Sequence, residues 1–224
     1  MSDAFAGFLS AVMFALATLA PIINPPGAAP IFLSMTSGAS EATRSKLAGR
    51  IARNACLLLV TAMALGSYVL MFFGLSLATI RIAGGLLVIA AAWQLLKTEH
   101  GAEPRPLVTP EPSLDPLAAR SFYPLTFPVT VGPGSIAVAI TLGAGVRLDL
   151  ATLPTEALGA VVGIVAVSGG VYFCYRFASR LLRVIGGPGT IVLLQLSAFI
   201  LLAIGVQILC DGIVERFAGP AAPR

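Results

Sequence analysis

The chain has 224 residues, 57% hydrophobic and 11% charged, with a net charge of +4 and a mean hydropathy of +0.94. A soluble domain is roughly 25% charged, so this chain lacks the polar surface needed to dissolve and is expected to live in a lipid bilayer. One histidine (His100) and three scattered cysteines (Cys56, Cys174 and Cys210) exclude a Cys/His metal cluster and a disulfide framework.

The first charge-free run, Ala4–Ser40, is too long for one straight crossing, which takes about 20 residues. No basic residue precedes Arg44, and Asp3 has the wrong sign for a signal peptide, so this run is expected to stay as a membrane helix. Within it lies Pro21-Ile22-Ile23-Asn24-Pro25-Pro26-Gly27. Proline removes an N–H and clashes with the preceding turn, and glycine permits non-helical backbone. The run therefore predicts two half-helices separated by a break.

Asn54–Ile80 follows, and then Ile82–Leu96. The latter covers only roughly 22 Å, so its helix is predicted to start near Ser76 and to carry Arg81 along. Thr98–Pro116 contains five prolines and reads as a flexible linker. The fourth run, Ser121–Val146, repeats the first. Pro128-Val129-Thr130-Val131-Gly132-Pro133-Gly134 lies 107 residues after the Pro21 segment, with Pro21, Pro26 and Gly27 matched by Pro128, Pro133 and Gly134. Ala157–Tyr175 and Val184–Cys210 complete the set. The expected fold is an all-α integral membrane protein with six crossings, near 5–38, 46–73, 76–97, 117–146, 155–179 and 188–212.

Basic residues set the orientation. Ten of them, from Arg44 to Arg53, Lys97 to Arg120 and Arg176 to Arg183, fall on the side shared by the first, third and fifth connections. Only Arg81, Arg147, Arg216 and Arg224 fall opposite. That bias places the linker in the cytoplasm and both termini in the periplasm. Cutting at the linker leaves three helices in 1–97 and three in 117–224, with 98–116 between them. An odd number of crossings per half forces the halves to be inverted relative to each other.

Broken helices at matching positions in two halves are a sequence pointer to a transporter's binding site. A half-helix starting after Gly27 or Gly134 aims N–H groups and the positive end of its dipole at the break, where an anion can bind. The carbonyls left before each break can accept from an ammonium. A zwitterion such as an amino acid suits both. The candidate substrate-binding residues are Asn24, Pro26, Gly27, Thr130, Gly132, Gly134, Ser135 and Arg81. Asn24, Thr130 and Ser135 have an alternative role in capping freed backbone. The glycines have one in close helix packing, which is the leading reading for Gly84 and Gly85. Arg81 either meets a substrate carboxylate or reaches back to the interface. No Asp or Glu lies in mid-span, so the usual intramembrane proton relay is not expected. Gln94, Gln195 and Gln207 read as interhelical hydrogen-bonding groups. No catalytic motif, P-loop or nucleotide fold is found. The expectation is a non-enzyme with no cofactor, no metal and no nucleic-acid partner.

Asn24-Pro25-Pro26-Gly27-Ala28-Ala29-Pro30-Ile31-Phe32 resembles the Asn-Pro-x-Gly-x-x-Pro-x-Phe segment of MarC-type membrane proteins. Arg81-Ile82-Ala83-Gly84-Gly85 is similar to their Arg-Ile-x-Gly-Gly segment, and Gly132-Pro133-Gly134 to their second Gly-Pro-Gly segment. Where that family commonly repeats Arg-Ile-x-Gly in the second half, this chain has Gln195-Leu196-Ser197-Ala198. The resemblance implies a bacterial inner-membrane protein of six helices, related to transporters of small neutral amino acids such as glycine and alanine. A coupling proton or cation and a homo-oligomer are compatible with it. Two other readings stand beside this one. A drug or metabolite exporter would want an aromatic or acidic cavity, and Trp93 is the only tryptophan. A non-transporting scaffold or regulatory partner would use the glycines for packing and leave the paired breaks without purpose.

Overall fold

The computed structural model describes residues 2–97, 121–146 and 153–218. The regular structure in these segments is helical throughout: α1 (Ser2–Ile23), α2 (Pro25–Met35), α3 (Glu41–Phe72), α4 (Leu77–Lys97), α5 (Ser121–Thr130), α6 (Pro133–Val146), α7 (Leu153–Arg176) and α8 (Ala178–Ala218). The expected linker 98–116, with His100 and Arg105, lies outside the described residues, as do Arg120, Arg147 and Arg224. Five stretches are long and apolar enough to cross a membrane: Ala4–Met35 (α1 with α2), α3, α4, α7 and α8. The pair α5 and α6 makes a sixth if it counts as one span bent by 74°.

Local chemistry sets the boundaries. The Ser40 Oγ accepts from the Thr43 N–H at 3.2 Å and Glu41 sits in the first turn, a favourable N-terminus. α3 therefore begins five residues before the expected position 46. The Ser76 Oγ caps Thr79 N–H in the same way, at 3.2 Å, at the start of α4. α8 is longer than the expected 188–212 because its helix already forms at Ala178. It is bent at Gly186 (φ 72°, ψ 174°), a conformation that a side chain disfavours, two residues before Pro188.

α5 winds wider than an α-helix. Pro124 and Pro128 lack N–H groups, and Tyr123 and Phe127 before them take extended backbone angles, as residues preceding proline do. The Thr126 and Thr130 hydroxyls donate to the carbonyls five residues earlier, Ser121 and Leu125, each at 2.6 Å. Val131 N–H reaches the Thr126 carbonyl at 2.8 Å.

α4 packs on α8, α1 on α7, α3 on α6 and α7, α4 on α6, and α2 on α7 and α8. In lipid, small residues let helices approach closely. A Cβ on Gly159 would stand 2.6 Å from the Phe8 carbonyl of α1, and one on Gly85 would stand 2.7 Å from Leu209 N of α8. Gly143 faces the Met63 carbonyl of α3 and Gly66 faces Ile140 of α6 just as tightly. The buried core runs between them through Leu19, Phe32, Ile51, Leu59, Ile164 and Val171. Phe72, Met71 and Phe217 are exposed on the outside, where lipid replaces water as solvent.

Candidate functional site

The first interruption falls on Asn24, one residue before the Pro25-Pro26-Gly27 segment. Pro25 and Pro26 form the first helical positions of α2, where a missing N–H costs nothing. Asn24 takes the left-handed conformation (φ 46°, ψ 61°), which asparagine tolerates better than most residues. Its N–H still reaches the Ala20 carbonyl at 2.9 Å, and its carbonyl accepts from Ala28 N–H at 3.0 Å. Its Oδ1 accepts from the Gly27 N–H at 3.2 Å.

The donors of this turn are thereby exhausted. Two of the first three residues of α2 are prolines, and the third N–H is capped by Asn24. The anion cradle expected at this end is not formed by free N–H groups. The same chemistry leaves acceptors. The Pro21 and Ile22 carbonyls face Pro25 and Pro26, which have no N–H, and Ile23 loses Gly27 to the Asn24 side chain. Among the described residues no donor outside the helices' own ladders reaches these three carbonyls. The first break is therefore acceptor-rich and suited to a cation or an ammonium.

The second interruption falls on Val131–Gly132, and Val131 lies 107 residues after Asn24. Pro133 again opens the new helix. Here no asparagine caps the turn. Ile136 N–H reaches the Gly132 carbonyl at 3.2 Å. The N–H groups of Gly132, Gly134 and Ser135 have no acceptor among the described residues. These donors sit at the positive end of α6, so this break is suited to an anion. The paired breaks are thus complementary in charge preference, which the near-identical spacing of their sequences conceals.

Tyr175 of α7 joins the two. Its hydroxyl and that of Thr130 are 2.8 Å apart. Because Thr130 donates to Leu125, Tyr175 is the donor in this pair. The Tyr175 ring stacks on Phe32 of α2, with centroids 4.6 Å apart and planes 9° apart. Tyr175 is 1% exposed, Phe32 0% and Thr130 2%. A buried contact thus runs from α5 through α7 to α2.

The other expected residues are dispersed. Gly27 is buried against the Asn24 side chain, with 2.8 Å from its would-be Cβ to Asn24 Cγ. Gly134 is buried against Val88 of α4, which makes it a packing glycine as well as a member of the break. Ser135 is buried in the first turn of α6, and Pro26 and Pro133 are exposed. Arg81 is not free: its Nη1 lies 2.6 Å from Glu215 Oε2 of α8. Two clefts, of about 440 and 240 Å³, are lined by other residues.

Residues 9–217 match the family described as MarC family integral membrane protein. The chain belongs to the MarC family. It is 32% identical over 216 residues to a UPF0056 membrane protein of Archaeoglobus fulgidus, covering 94% of this chain and 96% of the relative. It is 28% identical over 210 residues to the UPF0056 inner membrane protein MarC of Salmonella typhimurium, covering 92% and 95%. UPF0056 membrane protein YhcE of Escherichia coli is 28% identical over 200 residues, covering 88% and 89%. No solved structure is significantly similar.

In this MarC chain, Arg81–Gly85 is a junction. Arg81 pairs with α8, Gly84 lies 2.5 Å by its would-be Cβ from Ala137 Cβ of α6, and Gly85 abuts the backbone of α8 at Gly205 and Leu209. Sequence reasoning missed Tyr175, Phe32 and the pairing of Arg81 with Glu215. A tyrosine inside an apolar span signals a hydrogen-bond partner within it, and an acid one turn from a span's end invites a cation. Neither signal names its partner.

Proposed function

We propose that this MarC-family protein is a secondary transporter of small neutral amino acids, of the glycine or alanine kind, and not an enzyme. The observation that carries the reading is the complementarity of the two breaks: three unpartnered carbonyls at Pro21–Ile23 for an ammonium, three unpartnered N–H groups at Gly132–Ser135 for a carboxylate. Asn24, Pro26, Gly27, Thr130, Gly132, Gly134 and Ser135 shape the site. Arg81 acts through α8 instead of touching the substrate. A coupling proton or cation supplies the driving force. The protein works in the bacterial inner membrane, as the names of its relatives suggest, with both termini periplasmic.

The architecture in this reading is an inverted repeat of three crossings each, 1–97 and 117–224. The packing supports it. An axis exchanging the halves turns the α1–α7 contact into the α5–α3 contact, the α2–α7 contact into the α6–α3 contact and the α2–α8 contact into the α6–α4 contact. It maps α4–α8 and α3–α7 onto themselves, and all of these pairs are present.

Uptake of labelled glycine and alanine by proteoliposomes of the purified protein tests the function. Competition then tests the site. The free amino acid is expected to compete, while its methyl ester and its N-acetyl derivative, each missing one charge, fail. Equal competition by the ester would remove the carboxylate from the reading. No uptake of any amino acid in a broad panel would remove the substrate class.

A further inference from the structure

The connection between α2 and α3 and the joint between α7 and α8 meet at one end of the helices and frame a cleft of about 440 Å³. Arg44, Lys46, Arg176 and Arg180 line it, with Glu41 the single acid among its lining residues. Two of these cations are held in place. Arg44 donates from Nη2 to the Thr36 carbonyl at 3.0 Å and from Nη1 to Ser179 Oγ at 3.3 Å. Arg176 donates from Nη1 to Ser45 Oγ at 2.9 Å, and its guanidinium lies 5.7 Å from the Phe177 ring centre. The other two are unspent. Lys46 and the Arg180 guanidinium make no hydrogen bond or ion pair among the described residues, although Arg180 lies over the Phe177 ring at 5.8 Å.

Four cations around one hollow, two of them fixed and two with no hydrogen-bond or ion-pair partner among the described residues, repel one another, and Glu41 offsets only one of them. The rim decides which anion. Phe177 lines the cleft and is 40% exposed, and Phe173, 60% exposed, stacks on it with ring centres 6.5 Å apart, so bulky apolar side chains stand beside the charges. A soluble phosphate has no use for that rim, whereas a phospholipid places its headgroup phosphate in the cleft and its acyl chains along the rim. Basic pockets between membrane helices take anionic headgroups in this way, and arginine matches phosphate oxygens with paired donors.

We propose that this cleft binds the headgroup phosphate of an anionic phospholipid from the adjoining leaflet. The site is separate from the two breaks and does not depend on the transport reading.

The test uses the full-length protein in detergent with dioctanoyl phosphatidylglycerol as probe, read by native mass spectrometry and by the thermal midpoint. Phosphatidylglycerol is expected to bind saturably and raise the midpoint. Dioctanoyl phosphatidylcholine, inorganic phosphate and glycerol phosphate are expected not to displace it at equal concentration. Lys46→Gln and Arg180→Gln are each expected to weaken binding about fivefold, the scale of one basic residue at a membrane surface, while Arg180→Lys, which keeps the charge but not the paired donors, weakens it less than Arg180→Gln does. Raising salt on the unaltered protein is expected to weaken binding as well, a readout that needs no variant to fold. Equal binding of phosphatidylcholine, or indifference to both salt and the two substitutions, would overturn the proposal. Full displacement by inorganic phosphate would overturn the lipid and leave a soluble-anion site.

Discussion

Thr130 and Tyr175 show how much one buried hydroxyl can hold. Thr130 gives its proton to Leu125 and receives one from Tyr175. Tyr175→Phe removes one hydrogen bond and leaves the other intact, at a cost of about 1 kcal/mol. Thr130→Val keeps the shape but removes the hydroxyl's bond to the Leu125 carbonyl and leaves the Tyr175 hydroxyl without that partner, an unsatisfied group at about 1–3 kcal/mol. It is therefore expected to be the more destabilising change in reversible unfolding from mixed micelles, and the double variant is expected to cost less than the sum. A larger effect from Tyr175→Phe would mean that the ring's stacking on Phe32, and not the hydroxyl, depends on the bond. Asn24 offers a second comparison. Asn24→Ala loses the Gly27 cap and puts a poorly suited residue in left-handed backbone, costing about 1–2 kcal/mol. Asn24→Gly keeps the backbone freedom and should cost clearly less. Equal losses would show that the cap alone fixes this turn.

At the scale of the helix, the breaks are where sequence and structure inform each other most. The Pro-Gly segments announce an interruption, because no continuous helix tolerates them. The rule that proline favours the first helical position also explains why the gap sits one residue earlier at Asn24, and at Val131–Gly132 in the second half. The hydrogen-bond inventory was legible too: two successive prolines remove two donors whatever the tertiary fold. What one sequence could not show is the partner of each side chain. Arg81 reads as an interfacial cation or a ligand-binding one until α8 brings Glu215 to it, because that contact joins positions 134 residues apart. The glycines divide in the same way. Gly143 faces the Met63 carbonyl, whereas nothing lies within 4 Å of a Cβ on Gly145. Gly143→Leu is expected to lower the yield of folded protein severely and Gly145→Leu hardly at all, measured by monodisperse recovery after extraction. Similar recovery of both would mean that α3 and α6 separate easily. Gly134 belongs with Gly143, since a side chain there meets Val88.

For the whole molecule, the apolar runs were legible because lipid demands about 20 residues of the same kind in a row. The bent α5–α6 pair and the kinked start of α8 were harder to read. Threonine hydroxyls bond carbonyls five residues back in one, and a single glycine dihedral redirects the other. The proposed orientation rests on the distribution of arginine and lysine and has a direct test. In a cysteine-free background, a membrane-impermeant maleimide applied to intact cells is expected to label Ser2→Cys and to miss Ser113→Cys. Labelling at position 113 would reverse the topology, and with it the leaflet that feeds the basic cleft.

The two adjacent prolines after Asn24 have a kinetic consequence. An α-helical register supplies no donors to the Pro21 and Ile22 carbonyls, because the residues four positions on have no proton to give. In that register they are relieved by solvent or by cargo. In a carrier that alternates between faces, a dehydrated and unloaded intermediate leaves them bare, at several kcal/mol each in hydrocarbon. The loaded protein should therefore reorient faster than the empty one. Preloading vesicles with unlabelled alanine should then accelerate entry of labelled alanine, and an exchange rate no greater than net uptake would mean that water accompanies the return stroke.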